Sequence, residues 1–403
     1  MNSLSAKKIK TVMVVAGGEW QVPLICKAKE AGYRVINTNL YENSPGFSHA
    51  DIGLITDVRD KQQHLDYALQ YRPDAIVTDQ SDIAVPTVAY LCHELGLPGI
   101  GVETAEKFTN KFRMREVCGK EGFPTPRFAL CLNKVDAYEF IEHHGYPVVI
   151  KPPANQSSRG VFKLNSPGEL EAIWDITKSF SADGSVLLEE FIGGVELTVD
   201  GIKTDSRHYC LATSTKTHYP HNSMVASRLV FSNAHPEIDF AELHAQHDAL
   251  IEKMGLPFGL THAEYKYHNE RFYLVEVAAR GGGTRVSSDI VPLISGIDSN
   301  ELLIRMALGE QIAAVNPSFS DNVVALDFLQ FEAGYVNDVT GHETSHCIPG
   351  IIALGLNFSA GDEIAPPNDD RSRHGYVIAS APTRSKLDET LQQIRNTIRV
   401  KYA

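Results

Sequence analysis

The sequence has 403 residues, of which 43% are apolar and 22% charged, and its formal net charge at pH 7 is −13. This composition is typical of a soluble globular protein of two or three domains. The acidic balance argues against a nucleic-acid or anionic-membrane partner, which calls for a basic surface, and no apolar run is long enough for a transmembrane helix.

The first hundred residues alternate between predicted strands and predicted helices. The strands are TVMVVAGG, RVINTNL, DIGLITDV and DAIVTD, and the helices are EWQVPLICKAKEAGY, DKQQHLDYALQYR and DIAVPTVAYLCHELG. This order predicts a parallel sheet covered by helices. Gly17 and Gly18 stand where the first strand gives way to a helix, a position that suits an anion site or a tight turn. Without a full GxGxxG they predict no dinucleotide site.

From about residue 104 the pattern changes. TAEKFTNKFRMREVCGKEG predicts one basic helix that ends near Gly122 and Pro124. RFALC, DAYEFIEHHG and YPVVIKP predict a strand, a helix and a strand, and antiparallel strands follow on either side of a helix, DFAELHAQHDALIEKMG. The chain after SNELLIRMALGE predicts a mixed segment of strands that closes with the helix SKLDETLQQIRNTIRVKYA. The second half therefore differs from the parallel first part.

The segment VVIKPPANQSSRGVFKL, residues 148–164, has an unusual order of residues. Lys151 ends an apolar strand, and two prolines, a polar stretch and Arg159-Gly160 follow before apolar residues resume. It is not a P-loop, because in that motif the lysine follows the glycines at the start of a helix. From these residues alone, the segment is either an ordinary hairpin with a basic tip or a loop that lies against a ligand.

Several features along the chain occur in one order. Lys111 on a helix precedes Lys151 and its small-residue loop, then comes EEFIGGVE, and two acidic residues follow on adjacent strands, Glu264 in HAEYK and Glu276 in LVEVAAR. This order resembles the ATP-grasp superfamily over the whole chain. Within that superfamily, VVAGGEWQVPLICKAKEAGYRVI and EVAARGGGTRVSSDIVPL are similar to L-amino acid ligases (dipeptide synthetases) and to purine-pathway ligases.

The resemblance implies a mixed α/β and α+β chain with the ATP-grasp fold. Residues 1–103 would form a parallel α/β domain that precedes the ATP-grasp unit. Residues 104–312 would form a two-lobed nucleotide-binding domain, with the small lobe at about 124–192, and residues 313–403 a small α+β domain.

The same resemblance implies which residues hold ATP. The lysines and the loop between them would contact the phosphates, with Lys151 at the α-phosphate, while EEFIGGVE would line the adenine site and place its last glutamate at the ribose. The implied ATP-binding residues are Lys111, Lys151, Ser157, Ser158, Gly160, Glu189, Phe191, Ile192 and Glu196. For Lys111 the alternative is a solvated residue on a helix surface.

Metal and catalytic residues are also implied by the resemblance. Glu264 and Glu276 would bind Mg²⁺, or Mn²⁺, through hard carboxylate oxygens. Many relatives read Glu-x-Asn-x-Arg, with the asparagine as a further ligand, but here Ala278 stands in its place. Whether a second metal ion binds is therefore left open, or other groups complete its site. Arg280 keeps the family position and would hold a carboxylate or acyl phosphate, and Arg285 would assist with the same anion.

The implied activity is carboxylate–amine ligation. ATP would phosphorylate a carboxylate to an acyl phosphate, and an amine would attack it to give an amide, ADP and phosphate. The expected partners are a small-molecule carboxylate, such as an amino acid, an amine, and a second copy of the chain in a homodimer. The alternatives are a biotin carboxylase-like enzyme, a purine-pathway ATP-grasp enzyme and, from another class, a non-catalytic nucleotide-binding module. Scattered cysteines and a start without a signal-peptide pattern favour the cytoplasm.

Overall fold

A computed structural model describes residues 9–155 and 159–403. Two predicted ATP contacts, Ser157 and Ser158, lie outside these ranges. Within them, no helix combines the length and the apolar character needed to cross a bilayer.

The N-terminal segment is a parallel sheet with strand order β3-β2-β1-β4. Every residue of its central strand β1 is buried, as expected when helices cover both faces of a parallel sheet. The predicted parallel α/β arrangement is thus confirmed. Its elements are β1 (Thr11–Val15), α1 (Val22–Glu30), β2 (Arg34–Asn39), β3 (Ile52–Ile55), α2 (Lys61–Tyr71), β4 (Ala75–Val77) and α3 (Val85–Leu95).

The prediction of one long helix after residue 104 is wrong. The chain forms two helices, α4 (Val102–Thr109) and α5 (Lys111–Glu121), separated by Asn110 in an extended conformation. The Asn110 side chain accepts hydrogen bonds from the next two free backbone N–H groups, a strong helix-starting arrangement that the helical periodicity concealed. The break places Lys111 in the first turn of α5.

Residues 128–190 form a separate antiparallel sheet with strand order β5-β8-β6-β7, and these residues are called the small lobe below. Trp174, Leu170 and Phe140 from its helices are buried against the sheet. The other face of the sheet carries Lys151 and Glu189. Lys151 shares its face of β6 with Val149, two residues earlier, and Val149 is the register partner of Glu189 on the neighbouring strand β8. The elements are β5 (Phe128–Cys131), α6 (Lys134–His144), β6 (Val148–Lys151), β7 (Phe162–Leu164), α7 (Pro167–Lys178) and β8 (Val186–Glu190).

A large sheet with strand order β13-β12-β9-β10-β11-β14-β18-β16 forms the rest of the scaffold. The apolar face of α8 packs beneath β9 and β12. The elements up to the predicted boundary at residue 312 are β9 (Val195–Lys203), β10 (His208–Tyr219), β11 (Asn222–Phe231), α8 (Phe240–Met254), β12 (Gly259–His268), β13 (Arg271–Ala278), α9 (Val291–Ser295) and α10 (Ser299–Ala307).

The C-terminal segment continues this sheet, because β14 pairs with β11 and β18 with β14. A second sheet has the order β17-β15-β19. The domain boundaries at 103 and 312 stay predictions. The C-terminal elements are β14 (Val323–Phe328), β15 (Gly334–Thr340), α11 (His342–Ser345), β16 (Ile351–Leu356), β17 (Glu363–Ile364), β18 (Gly375–Ala381), α12 (Arg384–Thr397) and β19 (Arg399–Tyr402).

The turn before β9 contains two glycines with different requirements. Gly194 has φ +86°, and a Cβ there would lie 2.0 Å from the Tyr267 carbonyl oxygen, whereas a Cβ on Gly193 would meet nothing within 4 Å. We expect Gly194→Ala to lower the free energy of unfolding by on the order of 2 kcal/mol or more, because backbone must move. Gly193→Ala is the matched control. Equal chemical denaturation midpoints for the two variants would contradict this prediction.

Candidate active site

A cavity of about 620 Å³ lies between the small lobe, the large sheet and the N-terminal segment. It collects most of the residues that the sequence singled out, although they are spread over 170 positions of the chain. Those that line it are Lys111, Lys151, Glu189, Phe191, Ile192, Glu196, Glu264, Glu276 and Arg280.

Lys111 connects the loop after β6 to the acidic strands. Its backbone N–H donates to the Pro153 carbonyl oxygen at 2.8 Å, and its Nζ donates to the Asn155 carbonyl oxygen at 2.8 Å. The same Nζ lies 2.9 Å from Glu276 Oε2. Lys111 is only 6% exposed, so it is not a solvated surface residue.

Lys151 is held by a buried carboxylate at the end of β6. Its Nζ lies 2.6 Å from Glu189 Oε2, and the other oxygen of Glu189 accepts from Arg115 Nε at 2.8 Å. Burial lowers the pKa of Lys151 to about 8, and the Glu189 carboxylate offsets only part of this effect. The predicted contact of Glu189 with adenine stays a prediction, and in the structure this carboxylate pairs with the Lys151 ammonium group and the Arg115 guanidinium.

The lowered pKa of Lys151 predicts a pH dependence of nucleotide binding. Below about pH 8 the ammonium group is charged and attracts phosphate, whereas above it the amine must first take up a proton. We therefore expect ATP affinity to fall by up to about tenfold per pH unit above pH 8. Calorimetry from about pH 7.5 to 9.5 measures this slope. Lys151→Arg, which stays charged, should flatten it, and the same slope in this variant would refute the assignment.

Glu196 lies among cations on the large sheet. It is the register partner of Lys216 on β10 and of Lys266 on β12, and its oxygens lie 3.1 and 2.7 Å from their Nζ atoms. His218 Nε2 lies 3.2 Å away. Burial would raise the pKa of Glu196, but Lys216 and the other cations lower it well below its usual range. The result is an ionised carboxylate, able to accept hydrogen bonds from hydroxyl groups.

Glu264 and Glu276 face each other in register on β12 and β13. Lys216 Nζ lies 2.5 Å from Glu264 Oε1, so each carboxylate of the pair has an ammonium partner. Burial would raise the pKa of Glu264, but Lys216 and His262 lower it well below its usual range. Two adjacent carboxylates offer the hard oxygen ligands that Mg²⁺ and Mn²⁺ prefer, and the residues present fit such an ion.

Arg280 follows β13 and forms a bidentate pair with Asp82 of the N-terminal segment. Its Nε and Nη2 atoms lie 3.0 and 2.7 Å from the two Asp82 oxygens. The turn behind it is fixed by two further carboxylates, because the Gly281 N–H donates to Asp79 and the Gly282 N–H donates to Asp200. One edge of the guanidinium is thus occupied, and Nη1 also donates to the Gly281 carbonyl oxygen at 2.9 Å. One N–H on each of the two terminal nitrogens is left for a ligand in the cavity.

Two predicted site residues lie differently from the others. The Arg285 guanidinium forms a bidentate contact with Asp289, at 3.1 and 2.8 Å, and does not line the cavity. Gly160 has φ +72°, and a Cβ there would lie 2.7 Å from the Phe180 ring, so packing inside the small lobe already requires a glycine. The roles predicted for both residues stay predictions.

Family comparison agrees with this arrangement. Residues 144–289 match the ATP-grasp domain family, and residues 327–403 match the family called L-amino acid ligase C-terminal domain 2. The chain contains an ATP-grasp domain and a C-terminal domain of the L-amino acid ligase type. The ATP-grasp match includes Lys151, both acidic residues of the pair, and Arg280.

Individual proteins match the chain at low sequence identity. It is 24% identical over 326 residues to an uncharacterized protein, y4rH, of Sinorhizobium fredii, covering 80% of this chain and 67% of that protein. It is 28% identical over 187 residues to a formate-dependent phosphoribosylglycinamide formyltransferase of a Synechococcus strain, covering 45% of this chain. The match spans 47%, about half, of that formyltransferase.

Solved structures share the ATP-grasp architecture over nearly the whole chain. The L-amino acid ligase of Bacillus licheniformis superposes with a TM-score of 0.83 and 20% identity, covering 98% of this chain and 100% of that one. The phosphoribosylglycinamide synthetase of Anaerococcus prevotii gives 0.76 and 18%, with 98% and 100% coverage. At these identities the likeness supports the fold, and the predicted ATP-grasp fold is confirmed.

Sequence reasoning missed several residues of this ATP-grasp cavity. Asp82 follows β4 at the carboxyl end of a parallel strand, where ligand sites of such sheets occur, and this position was the available signal. His262 precedes Glu264 by two residues and therefore shares its face of β12. Arg115 and Asp200 do not line the cavity but hold Glu189 and the Gly282 N–H behind it, and they gave no comparable signal, because their partners are distant in sequence.

Proposed function

We propose that the protein is an ATP-dependent carboxylate–amine ligase that acts on an amino acid or a similar small carboxylate. One observation carries the proposal: two basic residues, the facing acidic pair and Arg280 converge on one cavity, although they come from different parts of the chain. The match of residues 327–403 to an L-amino acid ligase C-terminal domain supports the amino acid as substrate.

In this proposal the side chains act by positioning and by charge neutralisation. Lys111 and Lys151 hold the phosphates of ATP, and Glu196 accepts from the ribose hydroxyl groups. Glu264 and Glu276 would hold Mg²⁺, and this ion, when bound, would neutralise charge on the phosphates. These groups together keep the γ-phosphate in reach of a carboxylate.

Arg280 then holds the substrate carboxylate, and afterwards the acyl phosphate, through the N–H groups that Asp82 and the Gly281 carbonyl oxygen leave free. The amine attacks the acyl carbon, the carbon–oxygen bond to phosphate breaks, and phosphate leaves as the amide forms. Asp82 keeps the guanidinium fixed during both steps, since its two oxygens contact two nitrogens of Arg280.

A second candidate is a purine-pathway reaction, in which the carboxylate is formate and the amine belongs to a ribonucleotide. The similarity to a formate-dependent formyltransferase over 187 residues favours it. The C-terminal segment matches a different family, so the amino acid ligase remains the first proposal. A homodimer in the cytoplasm stays a prediction, and light scattering would measure the assembly.

The test is an ADP-release assay over pairs of amino acids and small amines, with mass spectrometry of the products. We expect a product whose mass equals the two substrates minus water. Formate with a ribonucleotide amine, and bicarbonate with biotin, are the comparison arms. ADP release in only one of these arms would replace the proposal, and no ADP release in any arm would favour a non-catalytic nucleotide-binding module.

A further inference from the structure

A second cluster of chemically reactive side chains lies on the face of the large sheet that α8 covers. His208 and Cys210 are two residues apart on β10 and share a face, and Asp248 comes from α8. Their ligand atoms are an imidazole nitrogen, a thiol sulfur and a carboxylate oxygen, and all lie within 4.8 Å of one another. None of these three residues lines the cavity of the candidate active site.

A bulge in β10 directs Cys210 away from that cavity. Cys210 pairs with Gly201 of β9. Ala212, two positions later, pairs with the neighbouring residue Asp200, so β10 has one extra residue between them. An extra residue reverses the alternation of faces along a strand. Lys216, four residues after Ala212, lines the cavity, and Cys210 therefore faces α8 instead.

The imidazole of His208 is fixed on the side away from Asp248. It is buried, and its Nε2 lies 2.8 Å from Thr261 Oγ1 on β12. A Cβ on Gly201 would lie 2.5 Å from the ring, so the glycine makes room for it. The His247 ring packs edge-on at 4.9 Å between centroids. A histidine that binds a metal is usually held in this way, by a partner at its other ring nitrogen.

The imidazole and the thiol converge on one carboxylate oxygen. His208 Nδ1 lies 2.6 Å from Asp248 Oδ1, and Cys210 Sγ lies 3.3 Å from the same oxygen. An ionised carboxylate only accepts hydrogen bonds, so the protons of both groups occupy the space between the three ligand atoms. Within the described ranges no lysine or arginine forms an ion pair with Asp248. Its side chain is 43% exposed, which gives a path from solvent.

We propose that His208, Cys210 and Asp248 bind a transition-metal ion of the Zn²⁺ type, with water in the fourth position. Thiolate and imidazole ligands favour Zn²⁺ or Co²⁺ over Mg²⁺. Bonds of about 2.0 to 2.3 Å place tetrahedral ligand atoms roughly 3.3 to 3.6 Å apart, so Asp248 turns outward by less than about 1 Å. The ion would join α8 to β10. This inference goes beyond the proposed function and does not depend on it.

Binding releases one proton from this site. Burial, with a smaller effect of Asp248, raises the pKa of the Cys210 thiol well above its ordinary value, so the ion must displace the thiol proton. The proton on His208 Nδ1 moves to Nε2, where Thr261 Oγ1 accepts it. The thiol proton goes to solvent, and the thiolate that forms gives a spectroscopic signal with Co²⁺.

The first test is a Co²⁺ titration of the reduced, full-length protein, with excess Mg²⁺ and no nucleotide. A thiolate bound to Co²⁺ absorbs in the near ultraviolet by charge transfer, whereas oxygen ligands do not produce this band. We expect one Co²⁺ per chain with the band, which Zn²⁺ removes and which Cys210→Ser lacks. Cys26→Ser is the matched control. Cys26 Sγ also contacts an imidazole, His49 Nδ1 at 3.5 Å, but no third ligand joins it among the described residues.

The second test replaces Asp248, whose exposure makes a folding defect avoidable. Asp248→Asn should weaken Co²⁺ binding by at least roughly 100-fold, more than the loss of a residue that only orients a ligand. Zn²⁺ should raise the melting temperature of the wild type and leave that of Asp248→Asn unchanged. Glu242→Gln is the control, because Glu242 is exposed on the same helix and belongs to no such cluster.

The outcomes bear on this inference alone, because neither test uses ATP or ligase substrates. A wild-type protein that gives no charge-transfer band with Co²⁺ would overturn it. A band that persists in Cys210→Ser and disappears in Cys26→Ser would assign the thiolate to Cys26 and also overturn it. Equal Co²⁺ affinity in Asp248→Asn and the wild type would contradict the site of three ligands.

Discussion

Replacing Arg280 with lysine or methionine is expected to lower kcat by about 10²- to 10³-fold, with a much smaller change in KM for ATP. The guanidinium contacts Asp82 with two nitrogens and still has N–H groups for an anion in the cavity. An ammonium group is a point charge and cannot make both sets of contacts. Burial alone would lower the pKa of Arg280, but the Asp82 carboxylate outweighs burial and raises this pKa above its ordinary value. The guanidinium therefore stays charged.

Steady-state kinetics beside melting temperatures provide the measurement. Arg305→Met is the matched control, because Arg305 on α10 pairs with the exposed residues Glu301 and Glu310, away from the cavity. Asp82→Asn should also lower kcat, by less, since it loosens the guanidinium without removing it. Near-normal kcat in both Arg280 variants, with lowered melting temperatures, would assign this residue to the scaffold.

Glu276→Gln is expected to reduce turnover by on the order of 10³-fold, while free nucleotide still binds. Glutamine keeps the shape of the side chain but removes one of the two facing negative charges, so a divalent cation is held less tightly. It also removes the ionic partner of Lys111, whose Nζ is 2.9 Å from the carboxylate. Both effects act on the phosphates that must be neutralised during transfer.

The measurement is ADP release as a function of Mg²⁺ and Mn²⁺ concentration. Glu270→Gln is the matched control, because Glu270 is exposed in the turn between β12 and β13 and lies on the same hairpin. Excess metal should restore part of the lost rate in Glu276→Gln, and excess EDTA should stop the wild type. Full wild-type activity in EDTA would contradict the metal assignment for both glutamates.

Those parts of the site that depend on strand periodicity were predictable from the sequence. Glu276 stands on an otherwise apolar strand, where a carboxylate without a partner is costly, and the resemblance to the ATP-grasp superfamily supplied its pairing with Glu264. Lys151 was recognisable because it ends a strand before a loop of small residues. The order of these residues along the chain also predicted the ATP-grasp fold.

Pairs between distant parts of the chain were not predictable. Arg280 and Asp82 are 198 residues apart, and Gly281 and Asp79 are 202 apart. Such pairs depend on how the N-terminal segment docks on the large sheet, which no local pattern encodes. The break at Asn110 had a different cause, because an asparagine that starts a helix resembles an ordinary polar residue within one.

The pairing of β14 with β11 determines how this chain can be divided. Removal of the residues after 312 would leave β11 as the edge of the large sheet, with Leu229 and Phe231 losing their cover. An uncovered strand edge recruits strands from other molecules. Proteolysis near residue 312 should therefore yield insoluble material rather than a smaller nucleotide-binding fragment. A chimaera that borrows this C-terminal segment from a relative needs a matching β11 as well.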